Sequence, residues 1–431
     1  MTTIQAPKPK IAGFSLKYVP FYLIIAGVFV WGGIAEYFNL FGSGQYSAGT
    51  NWVPWGLWVA AYMYFIGLSA GAFLLSSMLY GLGVKILKPV GRFALFTALV
   101  CLAMALLTIF SDVGQPFRAT EIYIMGRPES MMAWMVWLYT AYALCLIAEL
   151  FLALRTEMHD WMDKSSTLKR LVSRIVLLGG SDESPEAQRR DSKILKVLAL
   201  FGIPLAIAFH GGVGALVATV ATQAIWHNPL MPIYFVTGAL FSGGALLTGL
   251  IAFFWPRKDE AWHDMVTYLG KVMMVIGMIY ALMIWAEFSI PLWYGYGDVR
   301  ETQSLQALLF GQYWFVFWIF QVLLVTLLPV ALYYFWRKSP RVIGAASLMI
   351  AICFLAVRLD IVIPAYVGVQ IQGLNFPNLG ADYSYSYFPN LFEWQVLAFV
   401  VSLGMILLLL GYRILPLVDN KDRIPVKRIE K

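Results

Sequence analysis

Hydrophobic positions in this chain fall in long unbroken blocks, not in the short alternating segments of an outer-membrane barrel. Ten such blocks lie at approximately 19–40, 54–82, 92–112, 131–154, 195–222, 231–255, 265–290, 311–336, 342–366 and 392–415. A hydrocarbon core about 30 Å thick takes about 20 residues of helix. A bilayer also offers no partners for free backbone groups, so each block is expected to be helical. The pattern predicts an all-α integral membrane protein with ten transmembrane helices. Residues 1–18 form a polar leading segment, 19–415 the membrane domain and 416–431 a basic tail.

Basic residues mark alternate connections. Lys8, Lys10 and Lys17 precede the first block, and Lys85, Lys88 and Arg92 follow the second. The polar stretch from Arg155 to Lys196 is the richest, and further groups lie at Arg257–Lys258, Arg337–Arg341 and from Arg413 to Lys431. The other connections hold only Arg118, Arg127 and Arg300. Lys and Arg are retained on the cytoplasmic side. The expected orientation therefore has both termini cytoplasmic, in the cytoplasmic (inner) membrane of the cell. Within 155–194, RTEMHDWMDKSSTLKRLVSR reads as an amphipathic surface helix and SDESPEAQ as a flexible connector.

A repeat is visible inside the blocks. Tyr64, Phe65 and the run from Ser69 through Gly71 in the second block match Tyr234, Phe235 and the run from Ser242 in the sixth. Trp134 and Trp137 open the fourth block as Trp314 and Trp318 open the eighth. The expectation is two parallel four-helix bundles, blocks 2–5 (54–222) and 6–9 (231–366), flanked by blocks 1 and 10.

Composition agrees: 60% of residues are hydrophobic and 13% charged, against about 25% charged in soluble domains. The 16 Trp, 23 Tyr and 29 Phe suit two lipid–water interfaces. The net charge of +7 follows from the loop asymmetry and needs no nucleic acid partner. Cys101, Cys145 and Cys353 sit in apolar blocks without CxxC spacing, which argues against a disulfide framework or a metal site. The leading residues lack the apolar stretch and cleavage site of a signal peptide.

Ionisable groups at bilayer depth are costly and so mark function by default. His210 lies mid-block among glycines that are expected to leave space beside its imidazole. Asp112 ends the third block, Glu287 the seventh, and Arg358 and Asp360 lie in the outer half of the ninth. Arg358 and Asp360, two residues apart, face different ways. Glu287, Arg358, Asp360 and Glu149 read as a proton path or as ion pairs, for instance Arg358 with Glu287. Glu149 and Lys271 also read as interface anchors. Of the four histidines only His210 is at depth, so the two facing ligands of a b-type haem are missing.

The stretches PWGLWVAAYMYFIGLSAGAFLLSS (54–77), SDVGQPFRA (111–119), RPESMMAWMVWLYTAY (127–142) and HNPLMPIYFVTGALFSGGALL (227–247) give the chain a resemblance to a known family. It resembles the NrfD, or polysulfide-reductase membrane-subunit, family, over roughly 19–415. The likeness is to the ten-helix branch found in hydrogenase, sulfate-reducer transmembrane and alternative complex III membrane subunits. The resemblance implies a haem-free and metal-free subunit that binds a quinone, menaquinone or ubiquinone, in the outer half of a bundle. It also implies electron exchange with an extracytoplasmic ferredoxin-like iron–sulfur subunit or multihaem cytochrome, joined to a catalytic redox subunit; some members couple this to proton movement. Carried onto this sequence, His210 and Asp112 become the catalytic groups, with Tyr62, Tyr64, Trp134 and His210 lining the quinone. Glu287, Arg358 and Asp360 then mark a redundant pocket in the second bundle. A base must lie within hydrogen-bond reach of a quinol hydroxyl, a role for His210, with Asp112 passing the proton outward. Two other readings remain: a structural anchor for a redox enzyme, and a secondary transporter, for which Gly202-Ile-Pro204 is one candidate helix break.

Overall fold

A computed structural model of the chain describes residues 19–42, 46–50, 52–163, 184–223, 225–294, 299–367 and 387–418. Ten helices among these residues are long and apolar enough to cross a membrane. They are α1 (Val19–Phe41), α2 (Leu57–Tyr80), α3 (Gly91–Asp112), α4 (Met131–Asp163) and α5 (Pro185–Ala218). The rest are α6 (Met231–Phe254), α7 (Glu260–Tyr294), α8 (Val316–Phe335), α9 (Pro340–Val362) and α10 (Leu391–Ile414). An even number of such helices brings the start of α1 and the end of α10 to one face, here called the terminal face.

Helices α2, α3, α4 and α5 pack in a ring, each against the next and α5 back against α2; α6, α7, α8 and α9 do the same. The two rings meet where α2 and α5 pack on α6 and where α2 packs on α9. Helices α1 and α10 pair with each other and both touch α3, and the start of α10 also borders α8 and α9 at Trp394. α2 sits at the centre, with its residues from Leu57 to Ser77 almost all buried.

Small residues set the crossing between the rings, and they are the repeat motif itself. A Cβ on Gly71 would strike the Ala239 carbonyl and lie 2.8 Å from Gly243 Cα, and one on Gly243 would lie 2.7 Å from Gly71 Cα. Without a hydrophobic force between helices in lipid, such backbone contact supplies the packing. Gly243→Val is expected to lower folding stability by about 1–3 kcal/mol, the usual cost of overpacking. Gly27→Ala on α1, where nothing lies within 4 Å, is the neutral control. Thermal unfolding in detergent compares the two; equal midpoints would show that the crossing is not set here.

Several details differ from the pattern-based expectation. SDESPEAQ is not wholly a connector: the Ser184 hydroxyl accepts from the Ala187 backbone N–H and caps α5, whose first residue, Pro185, has no N–H to lose. α4 continues to Asp163, and the rest of the expected surface helix lies outside the described residues. A further helix, Val299–Leu309, occupies the connection before α8. α5 runs unbroken through Pro204, so the break expected of a transporter is not present there. α8 is wound as a π-helix over Val316–Leu327, with the Thr326 hydroxyl donating to the Gln321 carbonyl five residues back. Such wide turns are rare and cluster at functional sites.

Candidate functional site

Three of the polar neighbourhoods inside this apolar frame bear on the residues named from the sequence. The first lies between α5 and α9, whose side chains reach each other beside Gly67 of α2. Arg358 Nη2 stands 3.5 Å from His210 Nε2, and both side chains are buried. The guanidinium lies 4.2 Å from the Phe235 ring centre and 5.4 Å from that of Phe354, so aromatic faces share its charge. Its Nε and Nη1 have no hydrogen-bond partner among the described residues.

The second neighbourhood lies at the face opposite the termini. Glu393 closes a capping box at the start of α10: its backbone N–H donates to Asn390 Oδ1 and its Oε2 accepts from the Asn390 backbone. Its other oxygen accepts from the Tyr387 hydroxyl at 2.8 Å, which in turn accepts from the Leu57 backbone N–H. Burial, then the nearby carboxylate, push the Tyr387 phenol well up, so it stays a donor. Asp112, half-buried at the end of α3, lies within electrostatic range of Glu393 and Tyr366. Its carboxyl has no hydrogen bond or ion pair among the described residues. Tyr366 stands edge-on to Trp226, and Trp226 stacks on Trp55 at 5.5 Å. The result, among the described residues, is an unpaired carboxyl within electrostatic range of Tyr366, which forms an aromatic shelf with Trp226 and Trp55.

The third lies in the second ring. Glu287, Gln321, Asp360 and Tyr234 line a small cavity together with Trp226. Both polar atoms of the Gln321 side chain and Oδ2 of Asp360 are buried without hydrogen-bond partners among the described residues. The Tyr234 hydroxyl meets that of Tyr280 at 2.8 Å.

The sequence profile of the family described as polysulphide reductase, NrfD matches residues 46–370 of this chain. The chain belongs to the NrfD family. A selenate reductase subunit from Mesobacillus selenatarsenatis is 33% identical over 411 residues, covering 94% of this chain and 95% of that protein. The Hdr-like menaquinol oxidoreductase integral membrane subunit of Archaeoglobus fulgidus is 24% identical over 428 residues, 96% of each chain. The menaquinone reductase integral membrane subunit of Nitratidesulfovibrio vulgaris is also 24% identical over 428 residues, covering 95% of this chain and 94% of that one.

Within this NrfD chain the residues named from sequence divide among the neighbourhoods. His210 and Asp112 do not share one: His210 sits eight residues from the end of α5, about 12 Å along the axis, and faces Arg358. The glycines after it do not open space beside the imidazole. A Cβ on Gly214 would lie 2.6 Å from the Met231 carbonyl oxygen, so that glycine brings α6 close. The room comes from Gly67 of α2, whose added Cβ would stand 3.6 Å from His210 Cε1. Arg358 forms no ion pair with Glu287, because its face of α9 points at α5 and α6 while Glu287 turns to Gln321 and Asp360. Tyr64 donates across the seam to the Ala351 carbonyl of α9, so it does not line the first ring. Trp134, 46% exposed, bonds the Pro128 carbonyl on the outside. Tyr62 is half-buried and close to Tyr139.

Glu149 is not an interface anchor. It is 0% exposed, with Oε1 accepting from the Cys145 thiol and Oε2 without a hydrogen-bond partner among the described residues. α5 closes over it at Gly202, where an added Cβ would lie 2.9 Å from Oε1. Gln321 and Tyr387 escaped the sequence reading. Gln321 had a signal, a lone amide within VFWIFQVLLVTL; Tyr387 had none, since its role depends on a contact with Leu57 across the chain.

Proposed function

We propose that this chain is the quinone-reactive membrane subunit of a respiratory oxidoreductase complex. The observation that carries the reading is the Asp112 carboxyl, which has no hydrogen bond or ion pair among the described residues and lies within electrostatic range of Tyr366, whose ring packs on Trp55 and Trp226, in a chain of the NrfD family. Two relatives are named for menaquinol or menaquinone chemistry, which makes menaquinone the favoured quinone. A bound quinol supplies two electrons together with two protons. Asp112 accepts a hydrogen bond from a ring hydroxyl and holds the proton at its carboxyl, at the edge of the membrane where it can leave. Tyr387 keeps Glu393 fixed as a hydrogen-bonded neighbour. Trp55, Trp226 and Tyr366 offer flat apolar faces to a ring and exclude water. His210, held by Arg358, serves as a second group at depth and not as the first proton acceptor.

In this reading the terminal face is cytoplasmic. A ferredoxin-like iron–sulfur subunit or a multihaem cytochrome docks on the opposite face and leads to a catalytic subunit. Glu287, Asp360, Arg358 and Glu149 are the candidates for any coupled proton movement.

Purification of the tagged chain from its own membranes tests the proposal. The expected product is a complex containing a subunit with iron–sulfur signals or haem absorbance, with extractable quinone. Glu121→Cys, in an exposed connection, should react with an impermeant maleimide from outside. A chain that purifies alone and without quinone would overturn the reading.

A further inference from the structure

The second ring carries a groove whose lining includes none of Asp112, Tyr366, Trp55 or Trp226. It is a cavity of about 340 Å³ open on the side of the bundle between α8, α9 and the start of α10. Tyr313, Phe315, Phe320, Phe388 and Trp394 line it, and its polar wall group is Asp360. Asp360 is 5% exposed and its carboxyl has no hydrogen-bond partner among the described residues. The same side chain borders the inner cavity with Glu287 and Gln321, so it stands between the two spaces. The π-helical winding of α8 runs along the groove from Val316 to Phe320.

We infer that this groove is a second ring site, taking the head of a quinone or hydroquinone whose hydroxyl hydrogen-bonds to Asp360, with its isoprenoid tail leaving sideways into lipid. The inference rests on the quinone reading of the chain but concerns a different place from the Asp112 shelf. A buried carboxyl without a partner is costly, and a hydroxyl donor at the groove's inner end relieves that cost. An acyl chain has no donor to give it. Aromatic walls suit a flat ring, and a mouth bordered by Ile352 and Phe388, both strongly exposed, is open to the membrane. The Tyr313 hydroxyl donates to the Tyr387 carbonyl, which ties the groove wall to the segment that carries the Glu393 partner.

Photolabelling of the full chain in its own membranes tests this, with a short-tailed azido-naphthoquinone as the probe and peptides read by mass spectrometry. The groove should label on peptides containing Phe320 and Ile352, separately from label near Asp112. Asp360→Leu should cut groove labelling about tenfold or more, as expected for loss of a buried hydrogen bond to a charged group. Ile352→Trp, at the exposed mouth where folding is not at stake, should do the same by blocking entry. Both should leave the Asp112-side label in place. Excess menaquinone should displace the groove label and excess oleate should not. Label confined to the Asp112 side overturns the second site and leaves the quinone reading standing. Label at neither place overturns both. Displacement by oleate as readily as by menaquinone would make the groove a lipid site and overturn the inference.

Discussion

Asp112→Asn is expected to slow quinone-linked electron transfer by about 10²–10⁴-fold, the usual cost of losing a positioned acid–base group. Asparagine keeps the size of the side chain, and the carboxyl makes no hydrogen bond or ion pair among the described residues that the change would break. Assembly and thermal stability should therefore hold. Transfer from the complex to a soluble dye should also hold, because it bypasses the membrane ring site. Asp112→Glu, which restores a base on a longer arm, should recover part of the rate. Glu393→Gln is the contrasting case. Glu393 accepts from Tyr387 and from the Asn390 backbone, so its loss should show first as a less stable α10 entrance. Quinone turnover in Asp112→Asn equal to wild type, at equal complex content, would remove Asp112 from the chemistry.

Arg358→Met is expected to separate stability from activity. The guanidinium is 0% exposed, forms no ion pair among the described residues, and has two nitrogens without partners. Its contacts are His210 and the faces of Phe235 and Phe354. A buried charge with so little compensation costs stability, and an apolar side chain of similar length removes that cost. The variant should unfold no more easily than wild type and could gain up to about 4 kcal/mol, by analogy with buried ionic groups replaced by apolar ones. Quinone-linked turnover should fall by about 10²-fold, the scale of losing one preorganised electrostatic group. Thermal unfolding and turnover measured on the same preparation give both halves. A large loss of stability would make Arg358 a packing element, and unchanged turnover would leave His210 without an electrostatic partner of consequence.

The two variants probe sites that the one-dimensional pattern could not tell apart. In the sequence, Asp112 and His210 are both lone polar groups in neighbouring apolar blocks, and proximity in a bundle is the natural inference. The helices decide otherwise. α3 ends at Asp112 against α10 and Tyr366, while α5 turns His210 toward α9.

Chain order alone determined the number of spans and the all-helical class, because block length against bilayer thickness is a local property and lipid forces helix on each block. The repeat also showed at this level, in the matching runs after Ser69 and Ser242. That these runs are the surfaces by which the rings touch, Gly71 on Gly243, is a fact of tertiary contact. So are the burial of Glu149 under Gly202, the Arg358–His210 contact 148 residues apart in sequence, and the Tyr387–Leu57 bond 330 residues apart. Rotation of a helix about its axis decides which of these meet. Nearly uniform apolar blocks carry almost no signal for that rotation, since lipid and protein neighbours accept the same side chains. Only packing of the ten helices together set it.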